Sequence, residues 1–245
     1  MRKISRSSFS TVSLMFVLNG KLESKQTKSV IRDAFEKGFR SVIPIPYSEE
    51  TMGCEYLSPE YFREYSVIVE ECKRLSMELW IWDELYCPSG RAGGFVLKKN
   101  PDLRYLALER VERTKVKDMK DVILIDGNWA YRIIGATPAT NVNLISPGSG
   151  RTFLEVTYEA YKRHFGEYFG NVIKGFFCDE PCNFSGVING IFLWKNRRYK
   201  TPIPWMKDME KVFFNRYGYD IKEFLPALFY YTGDDKVSQK VREDF

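Results

Sequence analysis

Four short apolar runs dominate the sequence, and between them the apolar residues follow helical spacing. Runs that are apolar along their whole length are typical of strands buried on both faces. Their alternation with helices therefore predicts an α/β fold with a parallel sheet. The clearest helix start is Ser58, a capping residue, followed by Pro59 at the first helical position. The runs lie at Val12–Leu18, Ser41–Ile45, Glu78–Trp82 and Val172–Cys178.

Two architectures fit this alternation, a doubly wound sheet and a (β/α)8 TIM-type barrel. A doubly wound nucleotide fold carries GxGxxG or a P-loop after its first strand, whereas this chain continues as NGKL at Asn19–Leu22. The glycines of SGRAGG at Ser89–Gly94 are typical of an anion-binding turn, but their spacing fits neither motif. The sequence therefore favours the barrel.

The length of the chain limits how much of a barrel it forms. A complete barrel uses about 250 residues for eight strand–helix units, while these 245 residues contain four recognisable units. We expect barrel units one to three in residues 1–103, a small antiparallel β insertion in 104–137, and unit four with a helical extension in 138–245. The hairpin signal Asp126-Gly127 supports the insertion. We thus expect about half of a barrel, with the chain ending before the other half.

An Asp-Glu pair follows both the third and the fourth predicted strand, as Asp83-Glu84 and Asp179-Glu180. The carboxyl ends of parallel strands form the edge where active sites are built. Because successive strand residues point in opposite directions, each pair should turn one carboxylate into a site while the other holds the loop. Two carboxylates that face a substrate are what glycoside hydrolysis requires. The alternative is a salt-bridged corner or a helix cap with no catalytic part.

Aromatic residues make up 16% of the chain, and flat rings are suited to stacking on sugars. The single His164 falls within a helical pattern, where we expect a surface residue rather than a base. Ser89 has no GxSxG around it, which argues against a Ser–His–Asp hydrolase. The aromatic candidates near strand ends or in loops are Trp82, Tyr86, Trp194 and Trp205.

Charge and cysteine content argue against several other classes of protein. The net charge is only +5, and the one basic cluster, Trp194–Lys200, is short, so we expect a solvated loop and no nucleic-acid partner. Five cysteines without a CxxC pair predict neither a disulfide framework nor a zinc site, and Cys72 and Cys178 are expected to be buried thiols.

No apolar run approaches the ~20 residues of a membrane span, and the weakly signal-like start is interpreted as a strand. We expect a soluble cytoplasmic protein.

At the acidic motifs the sequence resembles α-L-rhamnosidase-like glycoside hydrolases, the family 106 group and its relatives. IWDELYCPSGRAGG at Ile81–Gly94, with the Asn-Pro that follows at 100–101, is similar to the "Tyr-Asp-Glu … Trp-Pro-Ser-Gly … Ala-Gly-Gly … Asn-Pro" region of that family. The sequence departs from the family pattern at three strand ends. Leu18 replaces an aromatic residue, Ile45–Tyr47 replaces a His-Pro-Arg-like corner, and Leu85–Cys87 replaces Asp-Gly-Trp. Further similar segments are Phe16–Leu22, Val142–Pro147, Phe165–Pro181 and Ile203–Phe229.

This resemblance implies a carbohydrate-active enzyme on a (β/α)8 barrel. Its Asp-Glu-Pro also resembles the Asn-Glu-Pro of many barrel glycosidases, which implies that Glu180 is the general acid/base. We expect a glycosidase without a cofactor that acts on an oligo- or polysaccharide, with rhamnosides as one candidate substrate. The sequence leaves open whether carboxylates at the barrel mouth hold a divalent cation, and it assigns no ligands to one. The expected substrate-binding residues are Asn19, Trp82, Asp83, Glu84, Tyr86, Asp179 and Trp205.

Two other functions stay open at this point. The first is a non-catalytic or vestigial half-barrel that binds glycan, or that pairs with another chain because its sheet edges are exposed. The second is a nucleotide-binding α/β domain, which would be stabilised by nucleotide.

Overall fold

A computed structural model describes residues 12–135, 141–181 and 203–245. The chain divides into two compact units, the first formed by residues 1–101 and 150–182 and the second by residues 102–149 and 183–245. Each unit has a sheet of its own. The basic cluster Trp194–Lys200, including Trp194, and also Cys182 lie outside the described residues.

The helices and strands alternate as the apolar pattern predicts, and the observed bounds of the four predicted parallel strands lie within one residue of the expected ones. The strands are β1 Ser13–Leu18, β2 Ser41–Pro46, β3 Glu78–Trp82, β4 Leu106–Glu112, β5 Val122–Asp126, β6 Trp129–Gly135, β7 Ile173–Phe177 and β8 Ile203–Trp205. The α-helices are α1 Ser24–Glu36, α2 Glu49–Met52, α3 Pro59–Arg74, α4 Phe95–Lys99, α5 Ser149–Val156, α6 Tyr158–Phe165, α7 Met209–Tyr217, α8 Leu225–Phe229 and α9 Asp235–Asp244.

The first unit contains a parallel sheet of four strands in the order β1-β2-β3-β7. The predicted parallel sheet and the mixed α/β class are therefore confirmed. Among the strands that the structure describes, β1 and β7 form the two edges of this sheet.

One face of the parallel sheet is covered by helices. Val42, Leu79 and Ile81 point into an apolar core shared with α1, α3 and α6, and all three are fully or almost fully buried. In β1 the alternate residues Leu14, Phe16 and Leu18 pack against this core. Their neighbours Met15 and Val17 point the other way and are 44% and 43% exposed. The second face of the sheet therefore carries apolar side chains in contact with solvent.

Helix α3 fixes this core because its start is well defined. Ser58 Oγ accepts a hydrogen bond from the Tyr61 backbone N–H at 3.1 Å, as expected for an N-cap, and Pro59 follows at the first position. Its inward residues, among them Phe62, Tyr65 and Cys72, are buried. The prediction of a buried Cys72 thiol is thus confirmed. The same prediction for Cys178 is wrong, since this residue follows β7 and is exposed.

Pro44 lies in β2, which is an interior strand, although proline suits an edge strand better. The pairing explains how the sheet accommodates it. Strand β2 pairs with β1 along its whole length, but with β3 only at Ser41 and Val42. The prolines therefore fall beyond the part of β2 that pairs on both sides.

The second unit contains an antiparallel sheet in the order β5-β6-β4-β8. The hairpin of β5 and β6 turns at Gly127, where φ is +54°, which confirms the antiparallel structure expected around 104–137. Residues 203–245, expected to be a helical extension, also supply β8, which pairs with β4. Trp205, Phe213, Ile221 and Leu225 then form an apolar core with this sheet. None of the described helices is long and apolar enough to cross a membrane.

Candidate active site at the carboxyl edge of the parallel sheet

The two Asp-Glu pairs emerge side by side, because β3 and β7 are neighbours in the sheet. Trp82 pairs with Phe177 at the carboxyl ends of these strands. The Asp83 backbone N–H extends the ladder by donating to the Phe177 carbonyl at 3.2 Å. The chain segments that carry the two acidic pairs therefore meet at one edge of the sheet.

Glu84 is fully buried and is surrounded by the turn that follows it. Its Oε1 accepts backbone hydrogen bonds from Leu85 at 3.0 Å and Gly93 at 2.5 Å. Burial raises the pKa of Glu84, and the bonds from backbone N–H groups act in the opposite direction. The glycine-rich turn at 89–94 therefore does bind an anion, and that anion is the carboxylate of Glu84. Its Oε2 accepts further backbone hydrogen bonds from Gly90 at 3.1 Å, Arg91 at 2.8 Å and Ala92 at 2.8 Å.

Asp83 is also fully buried, and both of its carboxylate oxygens have side-chain partners. Ser89 Oγ donates to Oδ1 at 2.5 Å, and the Tyr158 hydroxyl donates to Oδ2 at 2.9 Å. Burial raises the pKa of Asp83, while the hydrogen bonds from Ser89 and Tyr158 counteract that rise. Asp83 thus serves as an interior acceptor beneath the edge of the sheet.

Ser89 connects the two corners through three hydrogen bonds. Besides donating to Asp83, its Oγ accepts from the Asp179 backbone N–H at 2.8 Å. Its own backbone N–H donates to the Asp179 carbonyl at 2.8 Å. Because Ser89 is buried, these bonds are shielded from water and hold the backbone of Asp179 from both sides.

The second acidic pair is more accessible than the first. Asp179 is half-buried, and its pKa is raised by partial burial and by the adjacent charge of Glu180. Glu180 is exposed, and its φ of +44° is a conformation that residues other than glycine rarely adopt. Within the three described segments, the Glu180 carboxylate has neither an ion pair nor a hydrogen-bond partner. Such strained, unpartnered residues are concentrated at functional sites.

The aromatic candidates take different positions. Trp82 is buried, because its ring stacks on Phe177 at 5.2 Å between centroids and its Nε1 donates to the Tyr86 carbonyl. Tyr86 itself is 48% exposed and meets the ring of Tyr47 edge-to-face at 5.0 Å. The pKa of Tyr86 is raised mainly by the charge of Cys87 and by burial, and the charge of Asp179 is the smallest of the causes.

Two further expected substrate-binding residues belong to other elements of the fold than these carboxylates. Asn19 is exposed at the end of the edge strand β1. Trp205 is a core residue of the second unit, 2% exposed, and its ring stacks with Phe245 at 5.9 Å between centroids. Within the described residues, no three His, Cys, Asp or Glu side chains are grouped as a metal site would require.

The sequence did not reveal Ser89 and Tyr158 as parts of this site. Ser89 lies in the glycine-rich turn, and its role depends on β7, about 90 residues later. Tyr158 begins α6 and has no local motif around it. Only the packing of α6 under the sheet brings its hydroxyl to Asp83, so no sequence signal could have identified it.

Comparisons with known proteins identify one remote structural likeness. No family model matches the sequence. No curated protein matches it either. Among solved structures, the chain is similar to a rhamnosidase from Novosphingobium sp. PP1Y, with 17% sequence identity and a TM-score of 0.34. The match covers 45% of this chain and 10% of the rhamnosidase. At these values the comparison does not show a family.

Proposed function

We propose that this chain forms part of a glycoside hydrolase in which Glu180 is the general acid/base. The observation that carries the proposal is the state of the second acidic pair. Glu180 is exposed and unpartnered within the described residues, while buried Ser89 holds the backbone of the adjacent Asp179. A carboxylate that is accessible on a fixed backbone is what proton transfer to a bound substrate requires.

The four carboxylates at this edge then divide into two kinds. All carboxylate oxygens of Asp83 and Glu84 already accept hydrogen bonds from the protein. These two residues therefore position the site rather than contact substrate. Asp179 and Glu180 remain for chemistry, and the raised pKa of Asp179 separates it from an ordinary surface carboxylate. Environments that differ between neighbouring carboxylates are the usual basis of acid and base roles.

The substrate class follows from the exposed groups at the carboxyl ends of the strands. The exposed rings of Tyr86 and Tyr47 offer apolar faces to a sugar ring, and Asn19 offers an amide to sugar hydroxyls at the end of β1. The motif resemblance described above supports a carbohydrate and, within that class, a rhamnoside. The proposal involves no cofactor.

The open sheet supports a (β/α)8 barrel as the complete architecture. In a closed barrel every strand is paired on both sides, whereas β1 and β7 each lack a second partner among the described strands. The exposed side chains of Met15 and Val17 would then face a barrel interior. Further strands, from this protein or from another chain, would close the sheet and supply the second catalytic carboxylate.

The same open edges favour a second candidate function. A four-stranded parallel sheet with an exposed apolar face can pair with another chain and bind glycan without hydrolysing it. This candidate and the first differ in one measurable respect, which is turnover.

The test is hydrolysis by the complete protein of 4-nitrophenyl glycosides, the α-L-rhamnoside first, and of neutral polysaccharides. Glu180→Gln should lower kcat by about 10²–10⁴-fold. The loss should be smaller with the activated 4-nitrophenyl leaving group, which needs less protonation. A matched control is Glu78→Gln, which changes an exposed carboxylate at the opposite end of β3 and should leave turnover unchanged. Full activity of Glu180→Gln would refute the assignment, and binding without any turnover would favour the second candidate.

A further inference from the structure

The second unit contains a cavity of about 610 Å³ that the proposed function does not use. It lies between the end of β5 and the segment that runs from the residues before α8 to those after it. Its volume is within the range of ~300–1,000 Å³ found for small-molecule sites. The polar and aromatic residues that line it are Asp126, Glu223, Phe224, Tyr230, Tyr231 and Thr232.

Two of the aromatic walls are fixed by arginines. The guanidinium group of Arg110 lies 4.7 Å from the ring centroid of Tyr230, and that of Arg242 lies 4.4 Å from the ring centroid of Tyr231. Arg242 is itself held, since its Nε donates to the Ala227 carbonyl at 2.7 Å. Tyr231 is nevertheless 61% exposed. A large ring that is both held in place and open to solvent provides a binding surface at low entropic cost.

The carboxylates of the cavity are available as hydrogen-bond acceptors. Asp126 accepts one weak hydrogen bond at Oδ2, from the Tyr230 hydroxyl at 3.3 Å. Glu223 is exposed, and its carboxylate has no partner within the part of the chain that the structure describes. Ionised carboxylates accept hydrogen bonds and donate none, so the cavity is suited to a ligand that carries several donors.

The charges around the cavity limit the ligand further. The guanidinium groups of Arg110 and Arg242 already lie over the rings of Tyr230 and Tyr231. Their positive charges would repel an organic cation that approached either ring. Asp126 and Glu223 would repel an acidic ligand. Two carboxylates and two guanidinium groups nearly balance, which favours a ligand without net charge.

We infer that this cavity binds a neutral oligosaccharide. The C–H face of a sugar ring packs on Tyr231 or Phe224, and sugar hydroxyls donate to the carboxylates of Asp126 and Glu223. The site lies wholly within the second unit and includes no residue of the proposed active site. It is therefore a second carbohydrate-binding site, separate from the proposed site of hydrolysis.

Calorimetric titration of the full chain tests this inference with cellotetraose, xylotetraose and mannotetraose as neutral probes. Tetragalacturonate and spermidine serve as the acidic and cationic probes. At least one neutral probe should bind with a Kd below about 10 mM. Tyr231→Ala should weaken that binding by about tenfold or more, and Glu223→Gln by severalfold. Tyr231→Phe is the matched control because it keeps the ring, and it should bind within about twofold of the wild type.

Each result decides between binding in this cavity and binding elsewhere. The large exposure of Tyr231 means that its truncation should leave the far-ultraviolet circular dichroism unchanged. Binding should persist in Glu180→Gln, whether or not that variant hydrolyses glycosides, so failure of the hydrolase proposal and failure of this one are distinguishable. The inference is overturned if no neutral probe binds, if tetragalacturonate or spermidine binds more tightly, or if Tyr231→Ala and Glu223→Gln both bind as the wild type does.

Discussion

The burial of Glu84 predicts a large loss of stability when one of its oxygens is replaced. In Glu84→Gln the amide nitrogen must take the place of either Oε1 or Oε2. In the better case it replaces Oε1, and the backbone N–H groups of Leu85 and Gly93 lose their acceptor. An unsatisfied buried donor costs about 1–3 kcal/mol. Because these two hydrogen bonds are only partly buried, losing both should lower the free energy of unfolding by about 1–3 kcal/mol in total. That is a substantial fraction of the ~5–15 kcal/mol by which a domain is stable.

Urea denaturation measures this loss, and hydrogen exchange of the amides of residues 85–93 shows where it occurs. Glu78→Gln is the control, since Glu78 begins the same strand but is exposed, and its change should stay within about 0.5 kcal/mol. In Glu84→Gln the amides of Gly90 and Gly93 should exchange faster than in the wild type, because the turn opens more often. A change of less than about 1 kcal/mol in the free energy of unfolding, with unaltered exchange, would show that the turn does not depend on this carboxylate.

Two further predictions concern the same unit. Hydrogen bonds from Arg74, one at 2.6 Å, hold the pKa of Glu71 at about 2. Its stabilising effect should therefore be complete above the unfolded-state pKa of about 4.3 and lost as the pH falls toward 2. Because Arg74 is half exposed, Glu71→Gln should cost about 1–2 kcal/mol at neutral pH and little at low pH. An equal cost in urea unfolding at both pH values would contradict this. In Gly175→Ala, the new Cβ would lie 2.7 Å from the ring of Trp80. This overpacking should cost about 1–3 kcal/mol and lower Tm, whereas Gly135→Ala, with open space around it, should change Tm less. Equal shifts in the two variants would refute the clash.

Local sequence signals were enough to predict the elements of the first unit. Strand β3 was predicted with its observed bounds, because an apolar run lies between the end of α3 and the polar Asp83. The start of α3 was also predictable from a local signal, the pair Ser58 and Pro59. Capping joins residues only three positions apart, so it needs no distant contact.

The functions of the corner residues depend on distant contacts and could not be predicted in the same way. Alternation along a strand shows that Asp83 and Glu84 point in opposite directions, but not that both become buried. That outcome depends on how the turn at 89–94 folds over one of them and on where Tyr158 reaches the other. Trp82 and Trp205 were expected to contact substrate, and they are buried because each stacks on a ring far along the chain, Phe177 or Phe245.

The turn that encloses Glu84 also has a kinetic consequence. Since Glu84 belongs to the chain itself, the turn reaches its final shape during folding and does not need a bound sugar to organise it. For the proposed glycosidase function, the turn itself should therefore add no closing step to substrate capture, and no plateau from its own closure to the dependence of the association rate on substrate concentration. Ser89 extends the same property to Asp179, so the backbone that carries Glu180 is in place before any encounter occurs.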